Sequence, residues 1–238
     1  MSQQTWTAIR DALAEDIANG TLEPGDRLAT EPQLAERFRA GRHSVRRAVE
    51  ALAKEGKLSV EQGRGTFVEA APLLTYAIGK RTRLRRNLLP QGVEVGGELL
   101  EASLIPAEGR VREALRLEQG AGVIQSRRLT LADDVPIAFG VIYHDAARFA
   151  DIVERRERLV SLTEVYRSYG IEDYLRGETT LHARPAKAEE AKTLRQHPDM
   201  PVIVVRSIDT ELDGTPLAFA QVIWSAARVM FTMGRDDD

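Results

Sequence analysis

The sequence predicts an α+β protein in two parts: an N-terminal winged helix-turn-helix, then a mostly antiparallel sheet with helices over one face. Three observations carry this. Residues 27–68, RLATEPQLAERFRAGRHSVRRAVEALAKEGKLSVEQGRGTFV, read as two short helices, a tight turn and a glycine-punctuated hairpin. The long strand-like segments of the second half come in pairs around Asp133–Asp134 and Asp213–Gly214, which is hairpin spacing. The 238 residues, 43% hydrophobic, suffice for two modest cores.

Trp6, Ile9, Leu13 and Ile17 make the apolar stripe of a first helix, ended by Asn19–Gly20. Thr30 caps the next helix, and Gln33, three residues on, completes a capping box. Pro32 falls in the first turn, where a missing N–H costs little. Leu34, Ala35 and Phe38 are its apolar positions, and Ala40–Gly41 break the run. The following helix runs from about Arg42 to Glu55. Val45, Val49 and Leu52 share its buried stripe, while His43, Arg46, Arg47 and Glu50 point away from it. Arg42 stands at the exposed helix start, one turn from Arg46. Two arginines and a histidine on the front half of such a helix suit a DNA major groove, where an arginine fork can grip guanine O6 and N7. A solvated amphipathic face is the competing reading of RHSVRR alone. The hairpin shifts the balance: Leu58–Val60 and Thr66–Val68 flank Gln62-Gly63-Arg64-Gly65, and two glycines around an arginine let a backbone approach phosphate or a narrow groove. These readings make residues 1–69 a DNA-binding domain, 70–76 a linker, and 77–238 a second domain.

Five of the seven residues from Lys80 to Arg86 are basic. The run is a solvated helix face, a contact to DNA backbone, or the receiver of an anionic ligand at a helix start; the last is favoured. Beyond it, Leu99–Ile105 is strand-like and Arg110–Leu117 a short helix. Val123–Leu131 and Val135–Tyr143 form one hairpin. Ser161 caps a helix reaching Tyr169, Tyr174–Ala183 is a strand, and 186–196 is helical. Val202–Leu212 and Leu217–Trp224 form a second hairpin, with a last short strand at Val229–Met233. The Asp-Asp-Val-Pro and Asp-Gly-Thr-Pro turns hint at an internal duplication.

Composition bounds the function. The net charge is −3, so nucleic-acid binding must come from a local patch. There is no cysteine, hence no disulfide framework or thiolate metal site. No signal core or membrane-length apolar run is present, and a cytoplasmic protein is expected. The four histidines show no HxxxH pairing with a carboxylate at ligand spacing, and no GxSxG or phosphate-binding loop occurs. No cofactor, metal or catalytic activity is expected.

The stretches RLATE, QLAERF, GRHSVRRAV and EQGRGTFV resemble the winged helix-turn-helix of GntR-type bacterial regulators. That resemblance places DNA-reading positions at Thr30, Arg42, His43, Ser44 and Arg46, with Gln62, Gly63 and Arg64 in the wing. Ala29 stands where Pro is usual, Gly41 replaces a Ser cap, and Pro32 replaces an arginine that some members set on DNA. The second half is similar, from about Tyr76 on, to the UTRA effector domain of the HutC branch, a fold resembling chorismate lyase. TRLRRNLLPQG, HARPAKAEEAKTLRQHPDMP and AARVMFTM, together with GRHSVRRAVE, liken it most to the phosphonate-metabolism regulators of that branch. The resemblance implies a homodimeric repressor on double-stranded, inverted-repeat operator DNA, with a phosphonate or phosphate-type effector. Another small anion, a sugar phosphate or a carboxylate, is the alternative; a chorismate-lyase-like enzyme is a remoter one. The expected effector cradle is Arg83, Arg85, Asn87, Arg128, Thr130 and Ser161. Arginine suits a phosphonate because its planar fork donates two bonds at once. Arg127 and Arg128 are neighbours on a strand, so only one can face inward. Arg85 stands where Ser or Thr is commoner, and Gly140 where many UTRA domains carry an acid that reads sugar hydroxyls. Ala220 and Gln221 also differ. These departures argue against a sugar phosphate.

Overall fold

The computed structural model describes residues 5–19, 21–23, 25–61, 63–69, 73–159 and 161–233. Contacts divide the chain into two units, Met1–Leu73 with Pro185–Pro201, and Leu74–Arg184 with Val202–Asp238. The segment 185–201, read from the sequence as part of the second domain, therefore groups with the first.

In the first unit α1 (Trp6–Ala18), α2 (Glu31–Arg37) and α3 (Arg42–Lys54) precede the hairpin β1 (Leu58–Glu61) and β2 (Gly65–Val68). Thr5 Oγ1 caps α1 by accepting from Ala8 N at 3.3 Å. The Thr30 N–H donates to Gln33 Oε1 at 2.9 Å, the back-reach of the capping box expected for α2. The buried stripe of α3, Val45, Ala48, Val49, Leu52 and Ala53, packs with Ile9, Leu13, Leu34, Phe38, Leu58 and Val68 in one core. Each fully buried side chain of this size contributes about 1.5–3 kcal/mol, and that burial, more than propensity, holds α3 in place. Gly56 ends α3 at φ +73, with Lys57 N donating to Leu52 O at 2.9 Å, a Schellman stop. Residues 26–28 add to the hairpin as a third strand-like strip, with Leu28 N on Thr66 O and Val68 N on Asp26 O, both at 2.8 Å. Sequence pattern did not reveal this strip, and it brings Arg27 beside the wing.

The second unit opens with β3 (Leu74–Ile78), α4 (Leu84–Leu88) and a 3-10 turn at Leu89–Gln91. There follow β4 (Val95–Pro106), α5 (Gly109–Leu115), β5 (Gly122–Ala132), β6 (Val135–Asp145), α6 (Ile152–Arg158), α7 (Leu162–Arg167) and β7 (Leu175–Pro185). The chain passes through α8 (Ala188–Thr193), which groups with the first unit, and returns as β8 (Pro201–Thr210), β9 (Pro216–Ser225) and β10 (Val229–Met233). Six strands make one sheet in the order β4-β5-β6-β9-β8-β7, while β10 and β3 pair in parallel on their own. The expected hairpins and the α7 cap are present. Ser161 N donates to Glu164 Oε2 at 2.9 Å, and Glu164 N donates to Ser161 Oγ at 3.2 Å.

The sheet order is palindromic, and the sequence says why. Strand, helix, strand, strand occurs twice, as β4-α5-β5-β6 and β7-α8-β8-β9. A shift of 79 residues carries Pro106 to Pro185, Val123 to Val202 and Arg127 to Arg206, and a shift of 80 carries Pro136 to Pro216, Phe139 to Phe219 and Ala146-Ala147-Arg148 to Ala226-Ala227-Arg228. In the central pair Val141 faces Gln221, its own counterpart, so a local dyad runs between β6 and β9. The contacts obey it. Arg148 reaches Glu211 beside the second hairpin turn at 2.6 Å, and Arg228 donates to Pro136 O beside the first at 2.7 Å.

Candidate DNA-reading face and effector cavity

Along α3, Arg42 and His43 are exposed, Ser44 is half-buried and Arg46 is exposed. Arg46 does not float. Its Nε and Nη2 donate to Glu31 Oε1 and Oε2 at 3.0 and 2.9 Å, a two-bond fork between α3 and the first turn of α2. The hydrogen bonds from Arg46 hold the Glu31 carboxyl below the usual carboxylate range. An exposed pair adds little to stability, but the bidentate geometry fixes the plane of the guanidinium. Arg47 lies 4.3 Å over the Trp6 ring of α1 and so serves packing. Thr30 is exposed, yet both its N–H and its hydroxyl are directed to Gln33 Oε1. In the wing, Gln62 lies outside the described residues. Gly63 has φ +79, and Arg64 pairs with Glu61 and sits 5.8 Å over Phe67. Gly65 has φ +128, and a Cβ there would stand 2.8 Å from Arg27 Nε. Arg27 thus runs along the wing backbone, an exposed cation that sequence reasoning missed because only the pairing of 26–28 with β2 puts it there.

The second unit holds a cavity of about 640 Å³ that opens to the surface. Of the expected cradle, Arg83, Arg85, Arg128, Thr130 and Ser161 line it. Asn87 does not. Its Oδ1 accepts from Ala77 N at 2.7 Å, and its Nδ2 donates to Ala77 O and Arg83 O. It ties α4 to β3 and is thereby used up. Arg83 reaches the cavity, but its fork serves Asp173 and Tyr174 O, and its guanidinium carbon stands 3.3 Å from the Tyr174 ring centre. Arg127 turns to the other face, over Phe139, as strand alternation requires.

Three arginines crowd the cavity near β4 and β5. Arg85 spends one donor on Val95 O at 2.9 Å, Arg128 pairs with Glu157 of α6, and Arg156 spends one donor on Leu159 O at 2.9 Å. Burial, and then the nearby charge of Arg128, pushes the Arg156 pKa down from its ordinary value. Crowded like charges behind partly buried walls are a state that an anion relieves. Arg156 and Glu157 come from α6, which sequence reasoning missed, although the spacing of Phe149, Ile152, Val153 and Leu159 is helical.

Nearer β8 and β7 the charges cancel. Arg176 Nε stands 2.7 Å from Asp209 Oδ1, and its Nη1 donates to Ser207 Oγ at 2.9 Å. Burial holds the Asp209 carboxyl above its usual range against the pull of Arg176. His144 also lines the cavity, and burial pushes it down to about 3, so it is neutral. Gly140 lines the cavity on β6, where a Cβ would fall 2.6 Å from Gln221 O and 2.7 Å from Val222 Cα. No side chain fits there, an acidic one included, unless β9 moves. Among the described residues no cluster of His, Asp and Glu suits a metal, and no helix is long and apolar enough to cross a membrane.

Residues 5–68 match the gntR family of bacterial regulatory proteins, and residues 90–229 match the UTRA domain. An uncharacterized HTH-type transcriptional regulator of Rhizobium meliloti is 34% identical over 96% of this chain and 94% of its own. The probable transcriptional regulator PhnF of Escherichia coli is 31% identical over 88% of this chain and 86% of its own. The crystal structure of PhnF from Mycobacterium smegmatis superposes with a TM-score of 0.64 at 22% identity, covering 97% of this chain and 100% of that one, a likeness of fold.

Proposed function

The chain belongs to the GntR family of bacterial transcriptional regulators, with a UTRA domain of HutC type behind its helix-turn-helix, and from that premise we propose that it senses a phosphonate- or phosphate-type anion. It is a DNA-binding regulator related to PhnF and not an enzyme. The observation that carries the proposal is the crowding of Arg85, Arg128 and Arg156 along one side of the cavity, with Thr130 and Ser161 beside them. Arginine forks supply paired donors and positive charge to a tetrahedral anion. Gly140, which leaves no room for a hydroxyl-reading acid, supports a phosphonate over a sugar phosphate.

In this reading residues 1–69 bind DNA and residues 77–238 sense the effector. A homodimer sets two copies of α3 on an inverted-repeat operator of genes for phosphonate uptake or breakdown and represses them. Arg42, His43, Ser44 and Arg46 face bases, while Gln62, Gly63 and Arg64 approach the backbone. Anion binding changes operator affinity, and by linkage the operator changes anion affinity by the same factor. The test is calorimetric titration of the full-length chain with phosphate and simple alkylphosphonates, with and without operator duplex. Binding of such an anion, coupled to operator affinity, is expected. Absence of anion binding overturns the reading.

A further inference from the structure

A guanidinium carries its N–H donors in one plane and presents them as two-donor edges. In Arg46 the side-on edge, Nε with one N–H of Nη2, is filled by the Glu31 carboxylate at 3.0 and 2.9 Å. The end-on edge, Nη1 with the other N–H of Nη2, is not part of that fork, and the side chain is 61% exposed. A two-donor edge of fixed plane is what guanine O6 and N7 accept. Glu31 is itself held in place: it opens α2, between the capping residue Thr30 and Pro32. The charge of Arg42 also acts on its carboxyl. An acid on this face repels the phosphates of every duplex alike. It therefore weakens DNA binding in general while it sets the plane of one reading group. The wing holds a contrasting pair. Arg64 is matched by Glu61, three residues before it in the same hairpin. A contact from there to the DNA backbone carries no sequence information.

We propose that Glu31 is a positioning residue for sequence reading: bonded to the side-on edge of Arg46, it aims the end-on edge at one base pair, raising discrimination at that position while lowering affinity for duplexes of any sequence. This rests on the reading of α3 as the base-contacting helix and adds the acid that orients its arginine. Specificity is a difference of affinities, so a residue that weakens every complex can still widen the gap between right and wrong sequences. Glu61 has no such part, and its charge acts on all duplexes equally.

The test uses the full-length chain and the duplex that the wild type selects from a randomised library. Anisotropy titrations compare that duplex, its single-base-pair variants and a random duplex of equal length. In Glu31→Ala the random duplex should bind about twofold tighter or more at low salt, and discrimination at one base pair should fall by about fivefold or more. Arg46→Ala should lose the same preference, and Glu31→Ala added to it should remove no further one. Glu61→Ala should tighten the random duplex and leave every base preference intact. A Glu31→Ala variant that only tightens all duplexes, as Glu61→Ala does, overturns this inference and leaves the reading of α3 standing. So does a preference that Glu31→Ala removes in the Arg46→Ala background, since Glu31 would then contact a base of its own. A wild type that selects no sequence overturns both. The exposed pair adds little to stability. If Glu31→Ala does not fold, Glu31→Gln, which keeps the shape and one acceptor, should show a smaller loss at the same base pair, and no loss there overturns the inference.

Discussion

Gly140 offers the sharpest test of the second unit, because its neighbours there are backbone and cannot swing away. In Gly140→Ala the new Cβ stands 2.6 Å from Gln221 O, 2.7 Å from Val222 Cα and 2.9 Å from Val222 Cγ2. Ordinary contact needs about 3.5 Å, so β6 and β9 must part by roughly 0.8 Å at the centre of the sheet. Overpacking of this kind costs about 1–3 kcal/mol, and weakening one buried ladder bond adds about 1 kcal/mol. The sum is about 2–4 kcal/mol. At about 2–4 °C per kcal/mol for a protein of this size, the unfolding midpoint of the second unit should fall by roughly 5–15 °C. Scanning calorimetry of the full chain measures it. Gly96→Ala is the control, since its Cβ meets only Leu131 side-chain atoms at 3.6 and 3.8 Å, an ordinary contact. A Gly140→Ala midpoint within about 1 °C of wild type, with Gly96→Ala equal to it, would refute the reasoning and with it the claim that position 140 excludes an acidic reader.

Other outcomes follow from the same geometry. Arg46→Ala should weaken operator binding roughly five- to 150-fold and relax one base position, as fluorescence anisotropy on operator variants would report; unchanged affinity means that α3 reads with another face. Arg27→Ala should weaken binding to all duplexes alike and lower the slope of log affinity against log salt by about 1; an unchanged slope removes Arg27 from the DNA backbone. His144 has a folded pKa of about 3 against 6.5 for the free side chain, so between these values the unfolded chain binds one more proton. Its neutral form therefore supports the fold fully above pH 6.5, and that support falls by about 1.4 kcal/mol per unit as the pH drops below it. The stability gap between wild type and His144→Phe should narrow with that slope in denaturant titrations from pH 7 to 5. A gap independent of pH contradicts a buried neutral imidazole.

The first unit was legible because its signals are local. The capping box at Thr30, the stripe Val45–Val49–Leu52 and the glycines of the wing each act within a few residues, and α3 ends within one residue of the expected place. The paired hairpins were legible for the same reason, through Asp133–Asp134 and Asp213–Gly214. What depended on distant partners was not. β3 is a short apolar run whose partner strand among the described residues, β10, lies at the other end of the unit. β4 begins at Val95, ahead of the expected Leu99, because Gly96 and Gly97 pair with Leu131 and Thr130 despite their poor strand propensity. α6 reads IVERRER, too charged to announce a buried face. The cavity shows the same division. Arg128 and Ser161 came from likeness to a family, and the cavity contains both. Arg156, His144 and Asp209 face it only because the sheet and α6 pack as they do. Asn87 had the right chemistry and neighbourhood but is consumed by β3.

The duplication explains how a symmetric frame yields a one-way site. Shifted by 79 residues, Arg128 and Thr130 of β5 become Ser207 and Asp209 of β8, and all four line the same cavity. The first repeat thus offers a cation partnered by Glu157 of α6, whereas the second offers an acid already answered by Arg176 of β7. Backbone symmetry makes the two sides alike in shape, but Arg85 and Arg156 beside the Arg128–Glu157 pair leave the first side net cationic, while the Arg176–Asp209 pair leaves the second balanced. Under the proposed function the anion sits on the first side. That place differs mechanically as well, for Arg85 belongs to α4, Arg156 to α6 and Ser161 to the cap of α7, all outside the duplicated strand–helix–strand–strand unit. A head group held there would touch three short helices and one strand, whereas a group bound among Ser207, Asp209 and Arg176 would touch strands alone. Only a ligand that binds two arrangements of those helices with different affinity can shift an equilibrium between them, and a contact spread over several elements is the kind that can differ between arrangements.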